Sequence, residues 1–166
     1  MKKLLMPILV LIVAISLAAC GAAPVTLVDV TSDTGISLKI PSDLILQADK
    51  SYLNTKTGDS VVLAVADVAG SPLSGYTQDQ LLATYQSKYP DAAIKSFENG
   101  KQINGKESLV ADVSFSNDKG TPVNLTLVIV TDGTKNYVVN FGYANDSSDS
   151  TIVKNLQTCI DSITIK

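Results

Sequence analysis

Few residues in this chain can do chemistry. Its 166 residues include two thiols, Cys20 and Cys159, and no histidine, arginine or tryptophan; every cationic side chain is a lysine. A thiol nucleophile needs a base to form its thiolate, and the usual one, histidine, is missing. The same absence excludes a Ser-His-Asp triad and imidazole ligation of a metal. Without arginine, no bidentate clamp can close on a carboxylate or phosphate. Two cysteines are too few for a four-thiolate zinc site. Asn145-Asp146-Ser147-Ser148-Asp149 gathers hard oxygen donors suited to calcium, but it lacks the glycine and closing glutamate of an EF-hand loop. Asp and Ser ahead of an apolar helix are also what N-capping requires. Asp33, Asp118 and Asp132 stand in turns, where their side chains are expected to satisfy the backbone. Catalytic residues, a metal site and a cofactor are therefore all assigned as none, and the chain is expected not to be an enzyme. A formal charge of −3 and a pI near 4.8 argue against nucleic acid as a partner.

The two thiols stand in different surroundings. Cys159 belongs to an apolar stripe (Ile152, Val153, Leu156, Cys159, Ile160, Ile163) with helical spacing, so it is expected to be buried and inert. Cys20 closes a different pattern. Lys2 and Lys3 precede an apolar run of 14 residues, Leu4 to Leu17, interrupted by Pro7. This is the layout of a secretory signal peptide, and it falls short of the ~20 residues that span a bilayer. Leu17-Ala18-Ala19-Cys20 resembles the lipobox of bacterial lipoproteins. The resemblance implies that Leu17, Ala18 and Ala19 are read by the signal peptidase, that the chain is cut before Cys20, and that the thiol carries a diacylglyceryl group. The expected organisation is a signal peptide over 1–19, a lipidated cysteine and short tether over 20–25, and one domain over 26–166. The mature chain would carry eleven lysines against sixteen acids, a formal charge of −5. An anionic leaflet would not attract such a domain, so the acyl chains would have to hold it there. The expected location is the extracytoplasmic face of the cell membrane.

The rest of the chain must supply the elements that position any site. Residues 26–31 and 36–40 read as strands around the Ser32-Asp33-Thr34-Gly35 turn. Residues 42–58 are ambiguous. Ser60 to Val68 is apolar on both faces and is expected inside a sheet covered on both sides. Thr77 and Gln80 form a capping-box pattern flanked by Tyr76 and Leu81, and Pro90 is expected to end the helix they open. Four strands follow as a meander, with Asn104-Gly105 as a two-residue hairpin turn and Gly100 as a bulge. Ser147-Ser148-Asp149 is expected to cap a last helix, with Ile163-Thr164-Ile165 as a closing strand. The expected fold class is α+β. It is an α/β/α sandwich with an antiparallel sheet of about six strands and a helix on each face.

The order of parts resembles the PsbP-like family, with its Mog1/PsbP/DcrB-type fold, over about residues 27–166. The shared features are a strand ending in Ile-Pro (Gly35 to Pro41), a Tyr-Thr-x-x-Gln-Leu helix start (Tyr76 to Leu81), an Ile-Asn-Gly turn (Ile103 to Gly105) and a final helix closing on Ser162-Ile163. The resemblance implies the same sandwich and transfers no functional residue.

The expected function is that of a non-enzymatic, lipid-anchored envelope protein that binds or supports another envelope component. Its partners would be the membrane, through the N-terminal diacylglyceryl cysteine, and an envelope protein. Tyr76, Tyr85 and Tyr89, beside the Ser71-Pro72-Leu73-Ser74-Gly75 loop, are the candidate recognition surface. The alternative is a carrier of a small ligand held between sheet and helices, with the 42–58 segment giving it room.

Overall fold

The computed structural model describes residues 24–68, 72–144 and 149–166. The expected signal peptide, the lipobox and most of the 145–149 block lie outside the described residues. The chain is α+β. Its main sheet has seven antiparallel strands in the order β3-β4-β5-β9-β8-β7-β6. These are β3 (Ile45–Leu46), β4 (Tyr52–Leu53), β5 (Ser60–Asp67), β6 (Ala93–Ile103), β7 (Lys106–Ser116), β8 (Pro122–Thr131) and β9 (Lys135–Ala144). A second sheet of three strands joins β1 (Leu27–Thr31), β2 (Ile36–Pro41) and β10 (Thr164–Ile165). Helix α2 (Thr151–Asp161) and the small sheet cover one face of the main sheet. Helix α1 (Gln78–Gln86) and a 3-10 turn, Leu73–Gly75, cover part of the other. The helix on each face matches the expected sandwich. The strand count grows because 42–58 forms the β3–β4 hairpin and because β1, β2 and β10 make a sheet of their own.

Strand alternation builds both cores. Tyr137, Val139 and Phe141 of β9, Val128 and Val130 of β8, and Val61 of β5 face α2 and the small sheet. There they meet Ile36, Leu38 and Ile40 of β2 and Ile152, Cys159, Ile160 and Ile163. The intervening residues Leu109, Ala111 and Leu127 face the other way and bury Leu73 and Leu81. The period of two sends alternate side chains of one strand to opposite layers.

Local signals act where they stand. Thr77 Oγ1 accepts from Gln80 N–H and Gln80 Oε1 accepts from Thr77 N–H, a complete capping box at α1. Asn104 (φ 48°) and Gly105 (φ 75°) make the tight β6–β7 turn. Gly100 sits in a register shift between Asn99 and Lys101 with φ 88°, a bulge that a glycine relieves.

Four expectations change. Helix α1 ends at Gln86, short of Pro90, because the Lys88 and Tyr89 N–H groups both turn back onto the Tyr85 carbonyl; Tyr89 therefore lies beyond the helix. The cap of α2 is Ser150, whose hydroxyl accepts from Val153 N–H at 3.0 Å; Asp149 stands one residue too early. Residues 73–75 of the expected loop form the 3-10 turn, pinned by buried Leu73. Strand β5 is not covered on both sides: Val62 and Val65 are 42% and 38% exposed, and Ala64 and Ala66 are exposed as well. Helix α1 has nine residues and packs over β6, so it does not reach β5.

A buried carboxylate joins the layers. Asp59 is fully buried, and its Oδ2 accepts from the N–H groups of Thr151 (2.9 Å) and Ile152 (3.3 Å), the first turn of α2. Asp43 accepts from the Thr151 hydroxyl (3.0 Å) and from Asn54 Nδ2 (2.8 Å). Free N–H groups and the positive end of the helix dipole make this a place where negative charge is stabilising. Asp59→Ala should lower the unfolding free energy by about 3 kcal/mol, since it orphans the buried N–H of Ile152 and the half-buried N–H of Thr151. Asp29→Ala, on exposed β1, should change it by less than about 0.5 kcal/mol. Urea denaturation of the two variants checks both values.

Candidate functional site

The candidate tyrosines do not form one open face. Tyr76 and Tyr85 pack at the margin of the α1-side core. The Tyr76 hydroxyl lies 3.3 Å from Thr84 Oγ1 on the next turns of α1. Burial pushes the Tyr85 hydroxyl up to about 12, so it stays protonated at any physiological pH. Tyr89 stacks on Phe115 of β7, with ring centroids 4.2 Å apart and planes at 21°. Tyr85 meets the same ring at 6.1 Å and 31°. Lys88 Nζ stands 5.0 Å from the centre of the Tyr89 ring, within cation–π range. The surface is therefore an aromatic ledge of Tyr85, Tyr89 and Phe115. Phe115 was missed in the sequence because it reads only as one more alternating strand residue. The turn after Gln86, which swings Tyr89 off the helix axis, is what brings the two elements together.

Beside the ledge lies a shallow cavity of about 220 Å³ that Phe115 shares with Asp91, Lys95 and Asn124. Lys95 Nζ donates to Asn124 Oδ1 at 2.8 Å. Asp91 accepts from Ser116 N–H at 2.9 Å, and the hydrogen bonds from Ser116 hold its carboxyl below the usual range. The ledge thus carries flat rings, two lysines, the engaged Asp91 and, near enough to Lys88 to act on its charge, Asp118. That set can hold an apolar surface bordered by acidic groups.

The remaining candidates serve the fold. Cys159 is fully buried, and burial pushes its thiol up to about 11, which leaves it protonated and shielded, as its place in the stripe implied. Asp33 pairs with Lys50, which lowers its carboxyl most, and backbone hydrogen bonds from Asp33 and Thr34 in its own turn lower it further. In the turn at 117–120 the backbone is satisfied by Asn117 Oδ1, which accepts from Lys119 and Thr121 N–H, and not by Asp118. Asp132 does close its turn: Oδ1 accepts from Lys135 N–H (2.7 Å), Thr134 N–H (2.8 Å) and the Thr134 hydroxyl (2.8 Å). Among the described residues, no group of three or more His, Cys, Asp or Glu is placed to hold a metal.

The motifs behind the family resemblance are also structural. Asn104 Nδ2 donates to the carbonyls of Asp161 (3.1 Å) and Ile163 (2.7 Å) at the end of α2. The Ser162 hydroxyl donates to the Cys159 carbonyl and accepts from Lys39 N–H, both at 2.7 Å, fastening α2 to β2.

Two grooves bear on ligand binding. The 42–58 hairpin borders a groove of about 210 Å³ at the margin of the main sheet, where Leu46, Tyr52 and Leu63 meet Thr31, Ser32 and the Asp33–Lys50 pair. A larger groove of about 640 Å³ lies between the small sheet and the end of α2, where Asp29, Lys39, Asn104 and Asp161 line it.

The hydrogen bonds at Asp132 hold its carboxyl far below the usual range, the Lys135 N–H contributing most. A carboxyl depressed on folding stabilises the protein above its unfolded value, about pH 4, and that share is lost as the pH falls further. Thermal unfolding of Asp132→Asn should therefore fall less steeply than wild type between about pH 4 and 2. Parallel curves would show that these bonds do not act on the carboxylate in solution.

No family model matches the chain, and no curated protein sequence matches it. Solved structures do. The cyanobacterial PsbP of Synechocystis is similar over 90% of this chain and 99% of its own, with a TM-score of 0.64 and 13% identity. The Ran-binding protein Mog1p of Saccharomyces cerevisiae is similar over 86% of this chain and 96% of its own, with a TM-score of 0.60 and 12% identity. LpqN of Mycobacterium tuberculosis, involved in cell envelope biogenesis, is similar over 86% of this chain and 91% of its own, with a TM-score of 0.55 and 14% identity. At these identities the likeness shows the fold: this chain has the Mog1/PsbP-like architecture.

Proposed function

We propose that this chain is a lipid-anchored, non-enzymatic protein of the bacterial cell envelope that binds or supports another envelope component. The observation that carries this is Leu17-Ala18-Ala19-Cys20, set at the end of a basic-then-apolar leader. A fold shared with a protein of cell envelope biogenesis supports it. Among the described residues no helix is long and apolar enough to cross a membrane. In this reading the acyl chains on Cys20 hold the domain, and the tether to Leu27 reaches at most roughly 25 Å, so the sandwich rides close to the lipid.

The partner docks on the ledge of Tyr85, Tyr89 and Phe115, with Lys88 and Lys95 meeting acidic groups at its rim. Small-ligand carriage draws less support. The groove beside 42–58, about 210 Å³, is under the ~300 Å³ of small-molecule sites, and the larger groove, though Val30 and Leu38 line part of it, is open and bordered by Asp29, Lys39 and Asp161.

Cys20→Ala should move the protein from the membrane fraction to the medium or leave the uncut precursor. The intact mass of the wild-type protein should begin at Cys20 with a diacylglyceryl addition. A bare Cys20 in native material would overturn the anchoring. For the ledge, a photo-cross-linker replacing Tyr89 should recover one envelope protein that the same group at Lys154, on the opposite layer, does not. Equal recovery from both positions would remove the ledge as the docking surface.

A further inference from the structure

The two long margins of the main sheet are built differently. Strand β6 is broken by two bulges, at Ile94/Ser96 and Asn99/Lys101, and carries Lys95, Glu98 and Lys101, with Lys101 paired to Glu98 at 3.3 Å. Bulges and charges are the devices that stop an edge from pairing with another chain. At the other margin, β4 pairs with β5 only at Ser60 and Val61. Among the described residues, no strand lies beside the outer side of β5 from Val62 to Asp67. That stretch, Val-Leu-Ala-Val-Ala-Asp, has no bulge against β9, no proline and no lysine.

The direction of its backbone groups follows from the ladder. Val68 N–H donates to the Thr134 carbonyl, so even-numbered residues of β5 aim their N–H and C=O at β9. On the outer side Asn54 N–H donates to the Asp59 carbonyl, which gives the same parity. The N–H and C=O of Leu63, Val65 and Asp67 therefore point outward, away from the sheet. Val65 and Asp67 are exposed, and so are Ala64 and Ala66 between them.

We propose that this edge pairs with the same edge of a second copy of the chain, antiparallel, about a two-fold axis at Val65. This register sets Val65 against Val65, Leu63 against Asp67 of the second copy, and Ala64 against Ala66 of the second copy. It gives every outward N–H and C=O from Leu63 to Asp67 a partner. It also stops short of β4, which already occupies the outer side of Ser60 and Val61. No like charges face each other, since the two Asp67 side chains end up about 13 Å apart at ~3.4 Å per residue. An isologous pair consumes both edges and closes, whereas a foreign strand laid here would only present a new edge. Five residue pairs bury less than the roughly 1,200 Å² of a permanent interface, so the dimer is a weak one that forms where copies are crowded.

The test uses the full chain in intact cells. Chains carrying Ala64→Cys are co-expressed with differently tagged chains carrying Ala66→Cys, then mildly oxidised. In this register residues 64 and 66 of the two copies form a non-hydrogen-bonded pair with Cα atoms about 4.5 Å apart, inside disulfide range. Either variant alone sets its own thiols two residues out of register. The mixed pair should give about tenfold more disulfide-linked dimer than either variant alone or wild type, which controls for Cys20 and Cys159. Adding Val65→Lys to both chains sets two ammonium groups against each other at the axis and should remove the excess. Equal cross-linking of mixed and single variants, no mixed dimer, or a disulfide to another protein instead of a second copy would each overturn the proposal. All three positions are exposed on the folded domain, and circular dichroism of each variant confirms that it folds.

Discussion

The carboxylate of Asp59 against the first N–H groups of α2 is the contact on which the rest of the architecture hangs. An eleven-residue helix has little stability of its own in water, so it must be held at its ends and along one side. Asp59, directly ahead of β5, holds the start, and Asp43 and Asn54 brace it through the Thr151 hydroxyl. Ile152, Cys159 and Ile160 fill the core along the length. Asn104 and Ser162 then take the carbonyls at the far end, after which the chain adds Thr164 and Ile165 to β2. One helix, fixed at both termini, thus fastens the small sheet to the large one.

The same economy runs through other polar groups of the domain. Groups that could act as acids, bases or ligands are committed to backbone: Asp132 to the turn before β9, Asn117 to the turn before β8, and Asn99 Nδ2 to the carbonyls of Leu73 and Tyr76. Such bonds remove the cost of burying or turning the chain. Two surface features stand outside this bonding: the rings beside Lys88 and the outer margin of β5 from Val62 to Asp67.

Much of the local structure was legible because its causes are local. The capping box at Thr77, the Asn104-Gly105 turn, the Gly100 bulge and the burial of Cys159 each depend on residues within a few positions or on a single periodic stripe. The remainder depends on neighbours distant along the chain. A strand of valines and alanines looks the same whether it is sandwiched or marginal, so β5 was expected to be covered on both faces. Asp59 looks like a loop residue, because the helix it caps begins more than ninety positions later. Phe115 looks like ordinary strand alternation until the turn after Gln86 lays Tyr89 on it.

The amino-acid order by itself determined the element types, the antiparallel meander, the two-layered cover and the exclusion of histidine- or arginine-based chemistry, because these follow from residue type, period and short-range hydrogen bonding. Only the tertiary structure decided which strand would be left at a margin, which carboxylate would hold which helix, and which rings would stack. Those outcomes depend on how far each covering helix reaches and on contacts between residues distant along the chain, and no short window of sequence contains them.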